Sequence, residues 1–379
     1  MCLRWGIYLK SVYLYSMIAV VDQHIPYIEG VLEPHFGEVR YLPADGITRQ
    51  AVADARALLV RTRTHCDARL LDGSAIEFIG SATIGSDHID TAYCQQRGIR
   101  VDTAPGCNAV AVQQWTLAAM VHWAEHNRLS LRGLTLGVVG VGHVGSRVEA
   151  GAKMLGMSVL RCDPPRQRVE VGANFVALSE LLQRADIVTF HVPLVRTGAD
   201  ATQHLLHAGN IGLCKHNALI INSSRGGVVE TDALLNFAFS HPEAALALDV
   251  WEGEPHPNDQ LVERCLIATP HIAGYSIEGK RSATRMLLNA LSRHFALPHI
   301  ALPLTADSPP EHLAPCATLA EAIAATYPIA SNDLRCIGRP FEDYRNAYPY
   351  RHDFGGFAAN LRSSCYADLL RMGFSPAQH

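Results

Sequence analysis

The sequence has no strong excess of charge of either sign, which excludes several kinds of partner. Charged residues make up only 18% of the 379 positions, and 32 basic against 36 acidic residues leave a net charge of −4. A chain of this kind has no electrostatic footprint for nucleic acid or for an anionic membrane surface. We therefore expect no nucleic-acid partner and no membrane partner, and any basic groups that bind a small anion must be local.

The cysteines and the apolar runs exclude further classes of protein. The ten cysteines are scattered and never form C-x-x-C, which argues against a zinc site or a disulfide scaffold and favours a reducing, cytoplasmic location. No tract approaches the roughly 20 apolar residues that span a bilayer. The apolar run near the start is broken by Lys10 and Ser11 and lacks a cleavage site. We expect the fold to begin at Met17, with residues 1–16 as an extension.

What the sequence does contain is a repeated alternation of short apolar runs and helix-like stretches. Runs rich in Val, Ile and Ala are typical of strands buried on both faces of a parallel sheet. The first series is IAVVD (18–22), ALLVR (57–61), IEFIGSAT (76–83) and IRVDTAP (99–105). A long helical stretch (109–127) precedes a second series: LTLGVVG (134–140), SVLRCD (158–163), DIVTFHVP (186–193), NALIINSS (217–224), AALALDVW (244–251) and CLIATPH (265–271).

A glycine pattern, G-x-G-x-x-G, opens the helix that follows the first strand of the second series. Glycine at these positions lets pyrophosphate approach the helix N-terminus. Asp163 ends the next strand, where a carboxylate accepts hydrogen bonds from an adenosine ribose. Its charge would repel a 2′-phosphate, so NAD is favoured over NADP. The residues predicted to bind the cofactor here are Gly140, Gly142, His143, Val144, Gly145 and Asp163.

The position of the glycine pattern predicts how the domains are connected. An NAD domain that begins in the middle of the chain indicates insertion into another domain. We therefore predict an α/β protein with two Rossmann-like, doubly wound parallel-sheet domains and a small C-terminal α+β domain. The predicted ranges are 17–109 with 272–300 for the substrate domain, 110–271 for the NAD domain and 301–379 for the C-terminal domain.

Three chemically active side chains lie at the ends of successive strands of the second series. Arg225, Glu254 and His271 follow strands whose carboxyl ends share one edge of an open sheet. Arginine matches a carboxylate with a planar fork of donors. Histidine can exchange the proton of a hydroxyl, and a carboxylate fixes its tautomer. With NAD, this set is what oxidation of a 2-hydroxy acid requires.

These motifs resemble those of the D-isomer-specific 2-hydroxyacid dehydrogenases. The resemblance rests on GVGHVGSRV, NSSRGGVV, DVWEGEP and TPHIAG. Within that family, GSATIGSDHID, APGCNAVAV, RCDPPR and HIAGYSIEGK are similar to the branch that oxidises 4-phospho-D-erythronate in pyridoxal phosphate (vitamin B6) biosynthesis. The similarity runs from Met17 to about residue 300. It is weaker over the C-terminal domain, whose length and position fit a dimerisation domain, so a homodimer is implied.

The resemblance also implies individual roles. Arg225 would orient the substrate carboxylate and carbonyl, and Glu254 would support His271 as the acid/base. The further cofactor positions are Val192, where the family carries a threonine, together with Ser223, Ser224, Asp249 and Gly274. The substrate-lining positions are Thr62, Thr83 and Tyr275.

A phosphorylated substrate needs positive charge, which the overall composition does not supply. Arg61, at the end of a strand of the first domain, is the leading candidate for the phosphate. A second possibility is an arginine of the C-terminal domain, such as Arg351, that reaches in from a partner subunit.

Two alternative functions stay open at this point. One is a different D-2-hydroxyacid dehydrogenase that acts on glycerate or 3-phosphoglycerate. The other is a non-catalytic NAD-sensing protein like the transcriptional corepressors that share this fold. Tyr275 and the C-terminal domain argue against the first, and the complete set of Arg225, Glu254 and His271 argues against the second.

Overall fold

The structure is a computed structural model that describes residues 17–172, 174–302, 310–336, 338 and 340–377. The predicted extension, residues 1–16, lies outside these ranges. Within them, no helix has the length and apolar character needed to cross a membrane. The described residues form two compact units, which draw on Met1–Asn108 with Glu278–Ser308 and on Ala109–Ile277 with Pro309–His379.

The first unit contains a five-stranded parallel sheet in the order β2-β1-β3-β4-β5. Its strands are β1 (Ile18–Asp22), β2 (Glu38–Leu42), β3 (Ala57–Val60), β4 (Phe78–Ser81) and β5 (Arg100–Asp102). Its first helices are α1 (Arg49–Val52), α2 (Ala68–Leu71) and α3 (Thr91–Gln96). Four of these strands coincide with predicted apolar runs. The edge strand β2 was missed because its residues are half-exposed and carry polar side chains.

The second unit contains a six-stranded parallel sheet in the order β11-β10-β9-β8-β6-β7. Its strands are β6 (Thr135–Val139), β7 (Ser158–Cys162), β8 (Ile187–Phe190), β9 (Leu219–Asn222), β10 (Ala245–Leu248) and β11 (Ile267–Ala268). Its helices up to this point are α4 (Ala109–His126), α5 (His143–Met154), α6 (Pro164–Gln167), α7 (Leu178–Arg184), α8 (Thr231–Ser240) and α9 (Asp259–Arg264). All six strands lie within predicted runs. The prediction of two parallel-sheet α/β domains is confirmed.

After the second sheet the chain returns to the first unit through α10 (Ile277–His294). This helix buries Leu287, Leu288 and Leu291 in the core beneath β1 and β3. Gly80 of β4 allows the close approach, since a Cβ there would lie 2.1 Å from Leu287 Cδ1. Along the chain, the second unit thus lies between two segments of the first unit, and the predicted domain ranges stay predictions.

The C-terminal segment packs within the second unit. It contains β12 (Glu311–His312), α11 (Leu319–Thr326), α12 (Phe341–Ala347), β13 (Phe357–Ala358) and α13 (Tyr366–Met372). Leu319 and Ile323 share a buried cluster with Trp115 and Leu117 of α4. In the described structure this segment clusters with the six-stranded sheet. A separate C-terminal domain that begins at residue 301 stays a prediction.

Candidate active site

The glycine loop between β6 and α5 is shaped by close contacts that exclude larger residues. Gly140 has φ +85°, and a Cβ there would lie 2.7 Å from the His191 carbonyl oxygen and 2.6 Å from Val192 Cγ1. At Gly145, a Cβ would lie 2.0 Å from the Gly140 carbonyl oxygen. Gly142 faces open space and precedes α5 without capping it through a side chain. The start of α5 therefore has space beside its first N–H groups, an arrangement suited to an anion.

Asp163 lies directly beside this loop. Its Oδ2 accepts a hydrogen bond from the Val141 N–H at 2.8 Å, and its Oδ1 accepts one from the Arg166 N–H at 3.1 Å. The carboxylate thus holds both the glycine loop and the start of α6. Its contact with the cofactor ribose stays a prediction.

The other predicted cofactor residues at this edge fit a dinucleotide. Ser223 Oγ is buried, and no residue of the described ranges offers it a hydrogen bond. Buried hydroxyls are nearly always satisfied, so an orphaned one indicates an absent partner. Ser224, by contrast, donates to Asn222 Oδ1 at 2.8 Å. Together with the glycine cradle, Ser223 supports a nucleotide that would be held by the ends of β6 and β9.

Replacing Asp163 should change the choice of cofactor. Asp163→Ser should weaken NAD binding and reduce the discrimination against NADP, because the repulsive charge is lost. Asp163→Asn, which keeps an oxygen acceptor for the loop, should relax the discrimination with less loss of stability. Calorimetric titration with both cofactors measures this, and a wild-type protein that bound NADP as tightly as NAD would contradict the assignment.

The turn after β9 brings Arg225 against the end of β10. A Cβ on Gly226 would lie 2.0 Å from the Trp251 carbonyl oxygen, so the two backbones are in direct contact. Arg225 Nη1 donates to the Ser224 carbonyl at 2.8 Å. The sequence thus correctly placed Arg225 at the same sheet edge as the residues after β10, and its contact with substrate stays a prediction.

Glu254 and His271 form the pair that their order at successive strand ends suggested. Glu254 Oε2 lies 2.8 Å from His271 Nδ1, and Glu254 Oε1 accepts the Trp251 N–H at 3.0 Å. Burial alone would raise the pKa of Glu254, but the hydrogen bond and charge of His271, the Trp251 N–H and the charge of Arg345 together outweigh burial and lower that pKa. The carboxylate is therefore ionised at neutral pH. Since Nδ1 faces Glu254, Nε2 is the ring atom placed to exchange a proton with a ligand.

The loop that follows His271 is held by Asp249. The carboxylate is 1% exposed and accepts the N–H groups of Ile272 and Ala273 at 2.8 and 2.9 Å, as well as the Thr269 hydroxyl at 2.6 Å. Burial raises the pKa of Asp249, opposed by the charge of His271 and by these hydrogen bonds. Sequence reasoning treated Asp249 only as a cofactor contact, and its part in holding this loop was missed.

Tyr275 lies among residues of the C-terminal segment. Its hydroxyl is 3.4 Å from Arg345 Nη2, and its ring is within 6.1 Å of the rings of Tyr348 and Tyr350. The positive charge of Arg345 also contributes to lowering the pKa of Glu254. Sequence reasoning missed Arg345, although the run of arginines and tyrosines around it was the available signal.

The predicted substrate residues of the first unit meet at one edge of its sheet. Thr62 and Thr83 each follow the end of adjacent strands, β3 and β4, which pair Val60 with Ser81. Thr83 Oγ1 donates to the Gly85 carbonyl at 3.1 Å, whereas Thr62 is exposed.

Arg61 Nε donates to Oδ2 of the buried Asp22 at 2.9 Å. Arg61 is thus oriented by an ion pair, and within the described ranges its two Nη groups make no hydrogen bond to another residue, so a phosphate contact stays a prediction.

Comparison with known proteins agrees with this geometry. The family described as D-isomer specific 2-hydroxyacid dehydrogenase, NAD binding domain, matches residues 107–273. The chain is 42% identical over 343 residues to an erythronate-4-phosphate dehydrogenase of Bacteroides fragilis, covering 90% of this chain and 98% of that protein. It is 39% identical over 362 residues to the enzyme of the same name from Pseudomonas syringae, covering 95% and 92%.

Solved structures show the same fold. The NAD⁺-bound 3-phosphoglycerate dehydrogenase of Entamoeba histolytica superposes with a TM-score of 0.64 at 22% identity, covering 76% of this chain and all but 1% of that one. At this identity the likeness concerns the fold alone. The sequence relatives are closer and span nearly their full lengths. The chain therefore belongs to the erythronate-4-phosphate dehydrogenases, within the D-isomer-specific 2-hydroxyacid dehydrogenases, and is an NAD-dependent enzyme.

Proposed function

We propose that this enzyme oxidises 4-phospho-D-erythronate to 2-oxo-3-hydroxy-4-phosphobutanoate, a step in the biosynthesis of pyridoxal 5′-phosphate. The observation that carries the chemistry is the pairing of His271 with an ionised Glu254 at 2.8 Å, at the same sheet edge as the glycine cradle. The choice of substrate follows the name of the relatives at 36–42% identity.

The chemistry divides between the cofactor and the protein. NAD, when bound, accepts the hydride from C2 of the hydroxy acid. His271 Nε2 takes the proton of the 2-hydroxyl as C2 loses that hydride, and the ionised Glu254 at Nδ1 stabilises the resulting imidazolium. Arg225 supplies the donors that orient the substrate carboxylate. In the reverse direction, the imidazolium returns its proton to the carbonyl oxygen.

The assay that tests this proposal is reduction of NAD by 4-phosphoerythronate, followed by NADH absorbance. A 2-oxo acid should be added in a parallel reaction, since slow release of NADH would otherwise limit turnover. Preference for glycerate or 3-phosphoglycerate would assign the enzyme to another branch of the family. NAD binding without reduction by any of these acids would favour the NAD-sensing alternative.

We further propose that Arg61 binds the substrate phosphate. Its support is the position at the end of β3, next to Thr62, and the ion pair with Asp22 that fixes the guanidinium. The second possibility raised by the sequence, Arg351 acting across a dimer, is not favoured, because its guanidinium is fully engaged within its own chain.

Arg61→Ala should raise the Michaelis constant for 4-phosphoerythronate far more than for erythronate. Hydrogen bonds to charged groups contribute about 1.5–3 kcal/mol, so the expected rise is roughly 10- to 100-fold. Erythronate in the same variant is the control for the loss of the Asp22 ion pair, which affects both substrates equally. Equal effects on the two substrates would rule out a phosphate role for Arg61.

We also propose that two copies associate through the C-terminal segment in the cytoplasm. Leu361 and Leu370 of that segment are 58% and 39% exposed, although both are large and apolar. Apolar side chains of this kind are commonly covered in oligomers. Sedimentation of the protein would show a dimer if the proposal holds and a monomer if it does not.

A further inference from the structure

The guanidinium of Arg351, in the C-terminal segment, is bound to the loop that follows His271. Nη1 donates to the carbonyls of Ile272 at 3.2 Å and Tyr275 at 2.8 Å, and Nη2 donates to the carbonyl of Ala273 at 2.7 Å. The remaining donors also have partners: Nη2 reaches the Ala111 carbonyl at 3.0 Å, and Nε reaches Gln114 Oε1 at 3.0 Å. An arginine has five N–H donors, so all five are used.

Asp249 holds the N–H groups of the same loop. That carboxylate accepts the N–H groups of Ile272 and Ala273, whereas Arg351 donates to the carbonyls of the same two residues. A backbone hydrogen bond adds to this support: the Ile277 N–H donates to the Arg351 carbonyl at 3.0 Å. Asp249 and Arg351 therefore fix the N–H and the carbonyl of both Ile272 and Ala273.

The loop needs such support because its first residue has a strained backbone. His271 has φ +57°, in the left-handed region that side chains other than glycine rarely adopt. Strained residues at functional sites persist only where the surroundings determine their conformation from several directions. The Arg351 guanidinium also lies 4.2 Å over the ring of the buried Tyr327, which fixes its plane.

We propose that Arg351 is a positioning residue for the reaction: through the carbonyls of residues 272, 273 and 275 it sets the orientation of His271 and Tyr275. The C-terminal segment thereby contributes a positioning residue to the catalytic centre of its own chain. The kinetic part of this inference rests on the proposed function, whereas the structural part does not.

Arg351→Lys is the decisive variant. Lysine keeps the charge, but its compact ammonium cannot span three carbonyls with a planar fork. The matched control is Arg335→Lys, because Arg335 also attaches the C-terminal segment to the sheet, donating to the Cys265 carbonyl at 2.9 Å and pairing with Asp333 at 2.6 Å. Arg335 makes no hydrogen bond to the loop of residues 271–277 in the described structure.

Two measurements should be made on each variant. The first is hydrogen exchange of the backbone amides of residues 272–277, which needs neither substrate nor cofactor. The second is turnover of 4-phosphoerythronate with its pH profile, together with NADH affinity. We expect Arg351→Lys to accelerate exchange of the loop and to lower turnover by about 10- to 100-fold, since misplacement of a reacting group by about 1 Å can cost that much. The pH profile should change with it, and NADH affinity should fall by less than turnover, because Gly274 of this loop is a predicted cofactor contact whereas the glycine loop is untouched.

Arg335→Lys should lower the melting temperature about as much as Arg351→Lys does. It should neither accelerate exchange of the loop nor lower turnover. The proposal would be overturned if the loop of Arg351→Lys exchanged at the wild-type rate. It would also be overturned if both variants lost the same amount of turnover. A wild-type enzyme inactive on 4-phosphoerythronate would instead reject the proposed function, and the exchange comparison would still decide the role of Arg351.

Discussion

Replacing His271 by asparagine should lower turnover by about 10²–10⁴-fold, the usual contribution of general acid–base assistance. Asparagine is close in size, but it cannot accept the proton of the 2-hydroxyl. NAD affinity should be nearly unchanged, since the glycine loop and Asp163 lie on other strands. Steady-state kinetics and a calorimetric titration with NADH measure the two quantities separately.

His204→Asn is the matched control for this experiment. His204 Nε2 lies 2.6 Å from Glu252 Oε1, so the same unit contains a second histidine–carboxylate pair, slightly shorter than the 2.8 Å between His271 and Glu254. Loss of that pair should leave turnover close to the wild-type value. If His271→Asn kept most of the activity, or if both variants lost the same amount, His271 would be no more than a structural histidine.

Glu254→Gln should cost less than the histidine change and should move the pH profile. The lowered pKa of Glu254 keeps its carboxylate ionised until the pH falls below the usual carboxyl range. Glutamine carries no charge, so the imidazolium formed in the reaction loses its stabilising partner and turnover falls wherever the wild-type carboxylate is ionised. The difference between the two enzymes should therefore shrink as the pH falls through the lowered pKa of Glu254. A profile that stayed in place would show that the pair does not govern proton transfer.

Gly145→Ala should destabilise the protein and weaken NAD binding together. The added Cβ would lie 2.0 Å from the Gly140 carbonyl oxygen, a backbone atom that can yield only if α5 moves. Forcing extra atoms into a packed site costs about 1–3 kcal/mol or more, so the melting temperature should fall by several degrees. NADH affinity should fall by at least about tenfold, because the displaced helix N-terminus no longer meets the phosphates.

Gly142→Ala separates the binding effect from the structural one. A Cβ at Gly142 meets no atom within 4 Å, and its φ of −78° suits alanine. The melting temperature without cofactor should therefore equal that of the wild type, while NADH affinity falls because the methyl group takes the space of the pyrophosphate. Gly212→Ala, also in open space, is the control and should change neither quantity. Unchanged NADH affinity in Gly142→Ala would place the phosphates elsewhere.

The parts of this protein that could be predicted from its sequence are those governed by local pattern. Continuous apolar runs identified ten of the eleven strands of the two large sheets, because a strand buried on both faces must be apolar throughout. The glycine spacing identified the turn between β6 and α5. Arg225, Glu254 and His271 could be grouped without coordinates, since parallel strands in one sheet bring their carboxyl ends to one edge.

The remaining features depended on contacts between residues distant in the chain. The edge strand β2 has no apolar run, because one edge and part of its surface face solvent. Nothing near Arg351 in the sequence indicates that its five donors meet residues 111–114 and 272–275, and nothing near Arg61 indicates its pairing with Asp22. A guanidinium or a carboxylate has the same local signature on the surface and in a buried network. Only the packing of the chain determined which of these charges orient the candidate catalytic groups.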